Sequence, residues 1–139
     1  MHLHCYSWTG AGEDRELEGE RRPPPPPADA DVFLASPLPP MRTCDWLLKP
    51  AQRIDASPAT VREAVEWLAD RYRAAEPSFL RPEDEARIGL AVRLAFAEQD
   101  LGSGVDVQWG IWLTAGRFFT CAVICCSPNR HADYPCPAH

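Results

Sequence analysis

The sequence predicts an α+β fold, two amphipathic helices packed on a C-terminal antiparallel β-hairpin, and three observations carry that reading. Apolar residues recur at helical spacing over residues 58–75, again over 82–101, and then change to a period of two from Val105. A short apolar patch, Val32 to Ala35, is offered as a third, edge strand. Residues 1–40 are expected to be a disordered acidic and proline-rich leader, 41–128 the globular domain, and 129–139 a proline-rich Cys/His tail.

The leader follows from composition. Glu13 to Arg22 is a run of charges, and Pro23 to Pro27 is five consecutive prolines, each fixing φ and removing a backbone donor. Such a stretch has too little apolar surface to offset the entropy of ordering it, so an extended spacer is expected. Val32 to Ala35 is bounded by Ser36-Pro37 and Pro39-Pro40, which limits it to a sheet edge. Cys44 to Leu48 carries Trp46 and is expected to lie on the core as a turn of helix.

The first long helix is predicted to open with Ser57 as its N-cap and Pro58 at its first position. Val61, Ala64, Val65, Leu68 and Tyr72 then share one face, opposite Arg62, Glu63, Glu66 and Asp70. The second is predicted to start at Pro82, with Glu83, Asp84 and Glu85 at the positive end of its dipole, and to stop at Gly102. Its apolar residues span more than half the circumference, so two neighbours are needed to cover it.

From Val105 to Leu113 the odd positions are apolar, and after Ala115-Gly116 the run Phe118 to Cys126 is apolar throughout. With a two-residue loop at Ala115-Gly116, Ile111 would face Thr120 and Trp109 would face Ala122 on the helix-covered side. A longer loop would shift the register by one residue and exchange the faces.

Charge and composition exclude several function classes. The 139 residues fit one domain, and the net charge of −6 is concentrated in the leader, which holds seven acids against three bases. Neither half offers the basic surface that phosphate binding needs, so a nucleic-acid partner is not expected. No apolar run nears the roughly 18–20 residues of a membrane span, and no secretory signal is readable, so a cytoplasmic protein with reduced cysteines is expected. No phosphate-cradling glycine loop or nucleophile elbow is present, which points away from an enzyme and names no cofactor.

Two candidate sites remain. One half of the hairpin's reverse side, at Trp112 and Phe119, is too apolar for water, so a protein partner or a second copy of the chain is expected there. That interaction face comprises Gln108, Trp112, Arg117, Phe119 and Cys121, aromatics and arginine being the usual anchors of an interface. The alternative is a zinc site in the tail, from Cys126, His131, Cys136 and His139, because thiolate and imidazole groups on short loops are the ligands zinc takes. His2, His4 and Cys5, at the other end of the chain, are further ligand types that can join it. A third reading makes Trp67, Trp109 and Trp112 the lining of a small-molecule pocket or active site.

Overall fold

A computed structural model describes residues 1–138. Strands β1 (His2–Ala11), β2 (Val107–Trp112) and β3 (Arg117–Cys126) form one antiparallel sheet in the order β1-β3-β2. The helices are α1 (Glu18–Arg21), α2 (Asp31–Ala35), α3 (Val61–Ala75), α4 (Pro82–Ile88) and α5 (Leu90–Gly102). The architecture is therefore α+β, with β2 and β3 as the C-terminal hairpin.

The third strand is not the expected one. Val32 to Ala35 lies in the short helix α2, where Phe33 is buried, and the sheet's long outer strand is His2–Ala11. Strand β1 is covered on both faces over Leu3 to Tyr6: Leu3 and Cys5 enter the helix-side core, while Tyr6 enters the core on the opposite face. The rest of the expected leader is pinned to the domain. The Met41 amide donates to the Arg21 carbonyl at 2.9 Å, and Lys49, fully buried, donates to the carbonyls of Phe33 and Ser36.

Helix α3 begins at Val61, three residues later than Pro58 suggests. Its N-cap is Thr60, whose hydroxyl accepts from the Glu63 amide at 3.1 Å, while the Glu63 carboxylate reaches back to the Ala59 amide at 2.8 Å. Ser57 is left for another role. The expected single helix over 82–101 is broken at Gly89, whose φ of 81° suits glycine. Across that break Arg93 Nη2 donates to both carboxylate oxygens of Glu85, at 2.8 and 2.9 Å, with the two side chains 20% and 11% exposed.

The hairpin register is shifted by one residue from that of a two-residue loop. Thr114, Ala115 and Gly116 form the turn, with Ala115 and Gly116 both left-handed (φ 61° and 69°), and the Leu113 amide donates to the Arg117 carbonyl at 2.8 Å. Ile111 thus pairs with Phe119, Trp109 with Cys121 and Val107 with Val123. The shift exchanges the faces of β3: Phe119, Cys121, Val123 and Cys125 lie under α3 and α5, and Ala122, Ile124 and Cys126 lie on the reverse.

The chain covers most of that reverse side itself. The 3-10 turn Thr43–Leu48 lays Trp46 flat on Tyr6, with ring centroids 4.7 Å apart, and Trp46 Nε1 donates to Gln108 Oε1 at 2.9 Å. The segment after β3 then folds back across the sheet. Asn129 donates to Asp106 and to the Cys125 carbonyl, and the Tyr134 hydroxyl donates to Asp45 at 2.9 Å. Helix α5 touches both α3 and β2, while its Val92 and Phe96, Ile88 of α4 and Trp112 of β2 remain exposed.

Candidate metal centre

The four side chains His2, His4, Cys126 and Cys136 converge so that their ligand atoms all lie within 4.8 Å of one another. Strand geometry places three of them. Side chains two apart on a strand share a face, which sets His2 and His4 side by side on β1, and antiparallel pairing puts Cys126 opposite His2. The fourth arrives on the returning tail, which Asn129 and Tyr134 anchor ahead of it.

Two of the spacings suit one ion. Cys136 Sγ lies 3.3 Å from His4 Nε2 and 3.5 Å from His2 Nδ1. Bond lengths of about 2.0–2.3 Å to a central zinc put tetrahedral donors roughly 3.3–3.8 Å apart. Four protein ligands of the Cys2His2 type close the coordination sphere, which is the pattern of a structural rather than a catalytic zinc.

The surroundings prepare the ligands. His4 is buried, and its Nδ1 is 2.8 Å from Ser57 Oγ; in the tautomer protonated at Nδ1 the ring donates to the serine and turns its Nε2 lone pair to Cys136. Fixing the tautomer through the second ring nitrogen is how proteins orient metal-binding imidazoles. Burial, reinforced by the adjoining Cys136, pushes the Cys126 thiol up to about 11, and a divalent cation would displace that proton. The Tyr6 hydroxyl beside this cluster is buried with no hydrogen-bond partner among the described residues.

Of the tail ligands expected from sequence, Cys126 and Cys136 come together and His131 does not. His131 is exposed, its amide held by Asn129 Oδ1 at 2.9 Å and its carbonyl by Arg42. His139 lies outside the described residues. Cys5, also considered, points into the helix-side core and is pushed up to about 12, first by burial and then by Asp55. His2 and His4 were recognisable by ligand type alone, and the pairing that selects them spans most of the chain.

The expected interaction face is divided by the register shift. Phe119 and Cys121 are buried beneath the helices, whereas Gln108, Trp112 and Arg117 remain on the exposed part of the hairpin. Trp112 is 46% exposed and stands edge-on to Phe118 at 5.0 Å, with the Arg15 guanidinium 3.8 Å over the Phe118 ring. Trp67, Trp109 and Trp112 do not line one pocket: Trp109 is core, and Trp67 packs beneath Arg71. No family model, curated protein or solved structure matches this chain.

Proposed function

We propose that this chain is a zinc-binding protein whose ion is held by His2, His4, Cys126 and Cys136 and fastens the returning tail to the end of the sheet. The observation that carries the reading is the convergence of four soft or imidazole ligands within 4.8 Å from three separate segments. Six free cysteines with no disulfide among the described residues suit a reducing, cytoplasmic setting, in which paired thiols serve metal more often than cross-linking. Among the described residues no helix is long and apolar enough to cross a membrane.

Elemental analysis of the protein purified without a metal-affinity tag tests it. One zinc per chain is expected, falling to none in the Cys126→Ser/Cys136→Ser variant. A chelator should loosen the tail, measured as faster amide exchange around Tyr134, because metal that binds only the folded arrangement stabilises it. Zinc-free protein that takes up none on titration overturns the reading.

A second reading is self-association along the open edge of β2, favoured by the half-exposed Trp112 and by Gly110. Antiparallel alternation turns the Gly110 amide and carbonyl away from β3, and beyond it the Leu80 amide covers only the Trp112 carbonyl. A strand edge of this kind pairs with a copy of itself about a two-fold axis. Light scattering at micromolar concentration separates the cases: a dimer that Trp112→Ala dissolves supports it, and a monomer removes it.

A further inference from the structure

The metal site contains the makings of a redox release, and we propose that peroxide oxidises Cys126 and Cys136 to a disulfide and expels the zinc. The inference rests on the zinc reading above. The six sulfurs are unequally placed. Cys5, Cys44, Cys121, Cys125 and Cys126 are buried, and Cys136 alone among them reaches solvent in part.

The sheet also selects the pair. Cys125 is the immediate neighbour of Cys126, yet it faces the helix-side core together with Cys5 and Cys121. Cys126 faces the other way, where the sulfur within reach belongs to Cys136. Cys136 sits on a segment that follows β3 rather than in the sheet, so its sulfur can close the remaining gap without disturbing a strand. Zinc holds both sulfurs as thiolates, the form that attacks peroxide.

The chemistry balances with hydrogen peroxide as the oxidant. The Cys136 sulfur attacks one peroxide oxygen, the O–O bond breaks, and hydroxide leaves to become water with one proton, giving a sulfenic acid. The Cys126 thiolate then attacks that sulfur, the S–S bond forms as the S–O bond breaks, and a second hydroxide becomes water with a second proton. Two thiolates, one peroxide and two protons yield one disulfide and two waters. A disulfide and two imidazoles no longer make a zinc site, and the ion departs.

The test uses the full, zinc-loaded chain exposed to hydrogen peroxide, with released zinc followed by a chromogenic chelator and disulfides mapped by peptide mass. We expect one zinc lost per chain, a Cys126–Cys136 link accompanying it, and, on adding a thiol reductant with zinc, cleavage of the link and return of the ion. Cys136→His keeps four ligands but leaves one thiol, and should retain its zinc at least tenfold longer under the same exposure. Should that variant not take up zinc, the peptide map of the unmodified chain decides. Zinc loss without the Cys126–Cys136 link, or zinc retained through the oxidation, overturns the switch. A chain carrying no zinc beforehand overturns the metal reading itself, so the two failures are distinct.

Discussion

His2 lies directly across the sheet from Cys126, as the terminal pair of the β1–β3 register. The pairing means that three of the four proposed ligands, His2, His4 and Cys126, are held by hydrogen-bonded backbone rather than by loops. A ligand set built on strands loses little freedom when the ion arrives. What remains to be ordered is the approach of Cys136.

Ser57 and Thr60 should separate cleanly in function. Both precede α3, but Thr60 caps it and Ser57 orients His4. Ser57→Ala is expected to weaken zinc affinity about 10- to 100-fold with little change in stability of the zinc-free chain. Thr60→Ala should cost about 1 kcal/mol of stability and leave affinity unchanged. Competition with a chromophoric chelator and denaturant unfolding read the two effects.

Alkaline pH should destabilise the fold through its dry thiols. Burial pushes Cys5, Cys121 and Cys125 up to about 12 from an ordinary 9.0. Their folded pKa lies above the unfolded one, so their contribution is complete below about pH 9 and is lost as pH climbs towards 12. Lys49 acts oppositely: burial lowers it to about 8 from 10.5, so between those values stability rises with pH. Stability is therefore expected to peak near pH 9 and then fall, three thiols outweighing one amine. Cys121→Ala should ease the fall by up to about 1.4 kcal/mol per pH unit, read from guanidinium midpoints across the range. The metal site is shared by both proteins and cancels in the comparison.

Gly12 is the floor on which Trp112 rests. A β-carbon there would lie 2.0 Å from the indole ring and 3.1 Å from the Gly116 carbonyl. Gly12→Ala is expected to expel the indole towards solvent, costing about 1–3 kcal/mol and shifting tryptophan emission to the red. A variant with the parent's spectrum and stability would show that the ring is not seated there.

The helical part of the fold was readable because its signals are local. The apolar stripe of α3, the proline and acids that open α4, and the alternation of β2 each lie within one element. The register of the hairpin was not, since it turns on Ala115 adopting a left-handed conformation that its residue type does not advertise. Strand β1 was missed for a related reason. His2 and His4 occupy the reverse-face positions where apolar residues would have completed a recognisable pattern. The candidate site was half legible: Cys126 and Cys136 share one short stretch, but the imidazoles join them only through the β1–β3 pairing.

The bond between Glu85 and Arg93 decides what the break at Gly89 is for. Since the pair is largely shielded from water, dissolved ions screen it little. It therefore acts as a brace that turns the glycine into a fixed elbow rather than a joint, and α4 and α5 should swing, if at all, as one bent lever against the sheet.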